Sequence, residues 1–166
     1  WLEAYHKWDM TRRPVLEAEE DRLLVGRGKM KSWNPLKKGS RYYLENHRAF
    51  LDAPGEWYLG DDSELLYLPR EGENIAARIV APRLARLVAI RGEAGKPVAH
   101  VQFRGLTFAH TNYAWPENGF SPAQAAHPVG AAIELDYSER VTFENCEVRE
   151  VAGYALWMRE GCRNCE

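Results

Sequence analysis

Val101-Gln102-Phe103-Arg104-Gly105-Leu106-Thr107-Phe108 and Val141-Thr142-Phe143-Glu144-Asn145-Cys146-Glu147-Val148 are one pattern written twice: V-x-F, two turn residues, then apolar-x-apolar. Leu87, Val88, Ala89 and Ile90 precede the first copy, and Ala132, Ile133, Glu134 and Leu135 precede the second, each followed by a polar turn. A third copy opens at Ala155, Leu156, Trp157 and Met158, turns at Gly161 and reaches Cys165. Alternation within each phrase is the signature of short strands, and recurrence of the phrase is the signature of stacked repeats. The step from Ile133 to Leu156 is 23 residues, close to one coil of a parallel β-helix. The preceding step is longer because Thr111 to Gly130 intervenes, a segment expected to protrude from the stack as a loop. One coil cannot cover its own inward face, so consecutive coils must stack into a common core. Gly105 and Asn145 fall at the sharp corners, where a left-handed residue is wanted.

Working outward, the chain reads as all-β: short apolar alternations bounded by Gly, Pro, Asn and Asp, with no helical periodicity. Residues 1–75 are expected to form a small β-rich lobe and residues 76–166 the right-handed parallel β-helix (solenoid) coils. In the lobe, Val15 and Leu16, the acidic turn Glu19-Glu20-Asp21, and Leu23 to Val25 suggest a hairpin. A polar loop from Gly26 to Ser40 follows, with a turn at Trp33, Asn34 and Pro35. Pro54-Gly55 fits the central positions of a type II turn, Pro setting φ and Gly accepting the positive φ. Trp57 to Leu59 and Leu66 to Leu68 are expected as strands flanking the Asp61-Asp62 turn. Trp8, Trp33, Trp57 and Tyr58 suit either a binding platform or a core, and core is the expectation for aromatic residues in a β-rich lobe.

The 166 residues, 45% of them hydrophobic and 28% charged, carry a formal net charge of -2. Acids and bases are intermixed, so no basic stripe points to nucleic acid. Arg12-Arg13 and Lys37-Lys38 read as short solvated charges. No apolar run approaches the roughly 20 residues of a membrane span, and the first residues lack the pattern of a signal peptide. The chain lacks an initiating Met and stops in mid-pattern, and is expected to be an internal fragment of a larger protein, so that a leader would lie upstream. Cys146, Cys162 and Cys165 are an odd set near the end, which leaves at least one thiol unpaired in an oxidising compartment. Cys162 and Cys165 form a lone C-x-x-C without a second ligand pair. Buried small side chains are the expected reading, with no metal and no cofactor. Phosphate-loop, dinucleotide, zinc-protease and nucleophile-elbow motifs are absent.

Glu45-Asn-His-Arg-Ala-Phe-Leu-Asp-Ala-Pro-Gly-Glu-Trp-Tyr-Leu59, Leu66-Tyr-Leu-Pro-Arg-Glu-Gly-Glu73 and Val101 to Thr111 together resemble bacterial right-handed parallel β-helix repeat proteins. Within these the chain looks most like the group that includes glycoside hydrolase family 141, over its whole length. That resemblance implies an exported protein, extracellular or periplasmic, that cleaves fucosidic or xylan linkages in plant cell-wall polysaccharide. The family's catalytic carboxylates follow the G-Y-A-L-W-M stretch, which implies that they lie beyond Glu166. Gly60 departs from the acidic residue that relatives carry after W-Y-L, with Asp61 adjacent.

Glycoside hydrolysis needs two carboxyl groups across the scissile bond, one protonated and one ionised. Glu134 and Asp136 occupy alternate positions that can share one outward coil face, with Glu144 or Glu147 on another strand. A solvated β-surface is the expected account of any one of these acids, because outward positions must be polar anyway. His110, Asn112, Tyr113, Trp115 and Gln124, with Thr111, cluster on the long segment. Flat rings with polar donors suit an oligosaccharide, whose C–H faces and hydroxyls they match. The bland alternative is that Tyr113 and Trp115 pin the segment down while His110 bonds a backbone carbonyl. His127, beside Pro128, is a weaker candidate. A polysaccharide lyase and a non-catalytic glycan-binding or adhesion module are the alternative functions. Cut from its neighbours, an open coil at Glu166 would expose strand edges and aggregate.

Overall fold

A computed structural model describes residues 1–26, 31–74, 79–124 and 129–166. The fold is all-β, and the only helical element among the described residues is a 3-10 turn at Arg48–Phe50. The chain divides into two compact units, one made of residues 1–79 with 115–127 and the other of 80–114 with 128–166.

The first unit holds β1 (Leu2–Tyr5), β2 (Met10–Arg13), β3 (Val15–Ala18), β4 (Leu23–Val25), β5 (Tyr42–Leu44), β6 (Trp57–Leu59) and β7 (Leu65–Tyr67). β1 is the centre of an antiparallel sheet in the order β2-β1-β5. Leu2 and Ala4 alternate onto its buried face, as a two-residue period requires. β3 and β4 form the expected hairpin, with an irregularity between Val15 and Glu17. β6 and β7 pair around the Asp61-Asp62 turn, Tyr58 opposite Leu66. At Pro54-Gly55 the chain reverses: the Glu56 N–H donates to the Ala53 carbonyl at 3.2 Å, and Gly55 has φ of 96°. The Glu56 carboxylate closes the same turn by accepting from the Asp52 and Ala53 N–H groups, each at 2.9 Å.

Two expectations fail in this unit. Trp8, Trp33 and Trp57 are not core but 48%, 54% and 63% exposed. Trp57 lies on a two-stranded ribbon, where one layer leaves the alternate positions open. The segment after Thr111 also does not simply protrude. Phe120 pairs with Arg12 of β2 and is buried, so residues 115–124 belong to this unit's packing.

The second unit holds β8 (Val88–Arg91), β9 (Val98–Ala99), β10 (Gln102–Arg104), β11 (Thr107–Ala109), β12 (Ala131–Asp136), β13 (Ser138–Glu139), β14 (Thr142–Glu144), β15 (Glu147–Arg149) and β16 (Tyr154–Met158). Every strand pairing here is parallel: β8-β12-β16, β9-β13, β10-β14 and β11-β15. The registers are those of the repeated phrase, with Val88 beside Ile133, Ile133 beside Leu156, and Phe103 beside Phe143. Ile90, Phe108, Ile133, Leu135 and Val141 form the core, with Phe103, Phe143, Val148 and the cysteines packed on it.

Successive corners match as well. His100, Gly105 and His110 have φ of 60°, 65° and 61°, and their counterparts Arg140, Asn145 and Glu150 have 52°, 52° and 53°. A left-handed residue costs about 1–2 kcal/mol when it carries a side chain. The ladders repay that cost: the N–H groups of His100, Gly105 and His110 donate to Glu139, Glu144 and Glu150 carbonyls at 3.0 to 3.1 Å.

Candidate functional site

β12 carries the site. Ile133 and Leu135 face the core at 1% and 0% exposure, so Glu134 and Asp136 share the opposite face, as their spacing implies. Glu134 is not the solvated surface acid expected of an outward position, being 2% exposed. Its side chain turns back along β12, where Oε1 accepts the Ala131 N–H at 3.2 Å. Oε2 lies 2.8 Å from Arg86 Nη2 and 3.9 Å from guanidinium nitrogens of both Arg91 and Arg159. Asp136 stands opposite Arg91 in the ladder and receives Arg159 Nε at 3.4 Å. Burial resists ionisation of Glu134, but the Ala131 N–H and the Arg86 guanidinium outweigh it and hold the carboxyl below its ordinary range. A catalytic acid must be protonated to donate, so Glu134 is a fixed carboxylate that anchors three arginines.

Those arginines are the groups the face presents. Arg86, Arg91 and Arg159 remain 38%, 56% and 40% exposed. Trp157 sits beside Glu134 in the ladder, with the Arg159 guanidinium 4.9 Å over its ring and Tyr154 edge-on at 5.8 Å. Rigid guanidinium forks next to flat rings can hold hydroxyls or carboxylates of a sugar against an aromatic face. Sequence reasoning passed over these five residues. Arg91 was within reach of it, since aligning Val88 with Ile133 places Arg91 beside Asp136.

The other candidates lie elsewhere. His110 follows β11 at a left-handed corner, its Nδ1 2.9 Å from Glu150 Oε2, so its partner is a carboxylate just after the paired strand β15 and not a backbone carbonyl. The Asn112 N–H donates to the Leu84 carbonyl at 2.8 Å, while its side chain is exposed and Tyr113 is half-buried. Trp115 and the exposed Gln124 belong to the first unit. There Trp115 lies 4.8 Å from the Arg12 guanidinium, whose other neighbour is Trp1 at 4.2 Å. Arg12 also pairs with Glu45 at 2.6 Å, so Trp115 helps clamp a buried cation. Glu144 bonds Arg104 and Gln102 of the paired strand β10, and Glu147 bonds Thr107. His127 lies outside the described residues. The three cysteines are free, and Cys162 Sγ and Cys165 Sγ point at the Leu135 and Ser138 carbonyls at 3.3 and 3.6 Å. Among the described residues, no group of three or more His, Cys, Asp or Glu is placed to hold a metal, and no helix is long and apolar enough to cross a membrane.

No family model and no curated protein matches the chain. Among solved structures, a protein titled "Glycoside hydrolase" superposes with a TM-score of 0.67 at 25% sequence identity, over 87% of this chain and 32% of its own length. The chain thus spans about a third of that protein and has an all-β, glycoside hydrolase-like fold, a likeness that fits a carbohydrate-active role and a carbohydrate partner.

Proposed function

We propose that this chain supplies early coils of a right-handed parallel β-helix in an exported bacterial glycoside hydrolase acting on plant cell-wall polysaccharide. The observation that carries the reading is the set of in-register parallel ladders stacked on one core. Parallel strands need crossover connections, and these are right-handed almost without exception. The glycoside hydrolase neighbour supports the carbohydrate assignment. In this reading the β12 face binds the polymer through Arg86, Arg91, Arg159 and Trp157, and the carboxylates that cleave it belong to later coils of the whole protein.

A polysaccharide lyase on the same scaffold is the second reading. The three arginines around Glu134 favour it, because a lyase must neutralise a uronate before removing its α-proton. The test is the complete protein incubated with a panel of plant cell-wall oligosaccharides, with products read by mass spectrometry. Fragments heavier than the sum of an eliminated pair by one water support hydrolysis. Fragments carrying a new double bond establish the lyase, and retained binding without cleavage establishes the adhesion module.

A further inference from the structure

The first unit carries a cleft of about 570 Å³ that no catalytic reading uses, between the turn at residues 6–9 and the segment at residues 31–41. Trp8 and Trp33 stack in it at 5.9 Å and 22°, both about half exposed. Polar contacts on the two flanking segments hold this ring pair in place. The Asp9 carboxylate, itself fully buried, accepts from Lys31 Nζ at 2.6 Å and from Nδ2 of the buried Asn34 at 3.0 Å. That buried ion pair ties the two segments together and fixes the ring pair between them. A second network positions His6, whose Nε2 meets Thr11 Oγ1 at 2.7 Å, with Ser121 Oγ 2.9 Å further on. The remaining ring nitrogen of His6, Nδ1, is buried and has no partner among the described residues.

The rim is cationic. Lys37 and Lys38 ride on a tight turn, closed by the Ser40 N–H to the Lys37 carbonyl at 2.9 Å and by the Lys37 N–H to Ser40 Oγ at 2.8 Å. Lys7 and Arg41 complete the lining, and none of these four cations is ion-paired among the described residues. The cleft therefore offers a fixed, exposed aromatic face and several unpaired cations. A flat apolar face ringed by cations matches a pyranose that carries a negative charge.

We propose that this cleft binds an acidic oligosaccharide, one bearing carboxylate or sulfate groups, stacked on Trp8 and Trp33 with its charges met by Lys37, Lys38, Lys7 and Arg41. The cleft is lined by residues of the first unit alone and does not depend on which reaction the whole protein performs. Single-stranded nucleic acid also offers flat rings and negative charge, but it needs a long basic track for its phosphate backbone, and this chain has a net charge of -2 with acids and bases intermixed.

The test uses the full chain and calorimetric titration with four probes of matched length: oligogalacturonate, a sulfated oligosaccharide, neutral oligogalactose and an oligothymidylate. Binding of either acidic sugar, weakened by added salt and stronger than that of the neutral one, is the expected result, and the sugar preferred separates uronate from sulfate. Trp33→Ala should weaken binding by about tenfold, the scale of one aromatic contact. The double variant Lys37→Ala, Lys38→Ala should weaken acidic-sugar binding and flatten its salt dependence. Both sites are exposed, and an unchanged thermal midpoint shows that each variant folds. Equal affinity for neutral and acidic sugars, unchanged affinity in folded variants, or binding of the oligothymidylate alone would overturn the proposal.

Discussion

The rings of Phe103 and Phe143 stack 4.8 Å apart at 8°, side by side on the parallel strands β10 and β14. Phe108 meets both edge-on, at 5.9 and 6.2 Å. Three rings from three strands thus close one wall of the second unit's core, and the stack exists only because β10 and β14 pair in register. Phe143→Ala removes one of three mutually touching rings and should cost about 3 kcal/mol, the low end for a Phe truncation because the ring is only partly buried. A lower urea midpoint at unchanged slope is the readout.

The corner at Gly105 makes a cleaner test of the backbone. Its φ is 65° and nothing lies within 4 Å of where a Cβ would stand, so any cost of substitution is conformational and not steric. Gly105→Val should cost about 1–2 kcal/mol. Gly105→Asn should cost less, because Asn145 holds the same corner one coil on with φ of 52°. Equal costs for the two variants would show that the corner is not left-handed in solution.

Glu134 couples the β12 face to pH. Its folded-state pKa lies below the ordinary 4.5, with burial opposing the shift and the Ala131 N–H and Arg86 producing it. An acid whose pKa is depressed by folding stabilises the protein at pH values above its unfolded pKa, and that stabilisation is lost as pH falls through the folded value. Unfolding midpoints measured from pH 6 down to pH 3 should therefore fall less steeply for Glu134→Gln than for the native chain. At neutral pH the same substitution should cost about 1.5–3 kcal/mol, the scale of a charged hydrogen bond, since the arginines left behind are partly exposed and can rehydrate.

Asp9 has the opposite surroundings. Its main partner, Lys31, is only 9% exposed, so Asp9→Ala strands a cation that water cannot easily reach. A loss of about 3–5 kcal/mol is expected. Loosening of the Trp8–Trp33 pair should appear as a red-shifted tryptophan emission before global unfolding.

The registers of the parallel pairs were legible because strand period, corner chemistry and repeat length all had to agree at once. Aligning Val101-x-Phe103 with Val141-x-Phe143 placed every parallel pair of β10 and β14, and Gly105 with Asn145 marked the turn between them. The hairpins at Val15 to Val25 and at Trp57 to Tyr67 were legible for the same reason, apolar alternation broken by turn residues. Burial of polar and aromatic side chains was not. Glu134 has the pattern of an outward residue, and the convergence on it of Arg86 and Arg91 from the two ends of β8 and of Arg159 just after β16 goes with its burial. Trp8 and Trp33 have the composition of a core, yet tryptophan's large amphipathic ring suits an open cleft equally well. What places them there is the Asp9–Lys31 pair, two residues whose distance in sequence hides their contact.

Hydrolysis of glycosidic bonds by the whole protein, as proposed, is tested by digestion of plant cell-wall oligosaccharides in water enriched in oxygen-18. Hydrolysis should place the label at the anomeric carbon of the new reducing end, raising the mass of that fragment by two. Fragments without the label, one of them carrying a double bond that absorbs in the ultraviolet, would contradict it and make the protein a lyase.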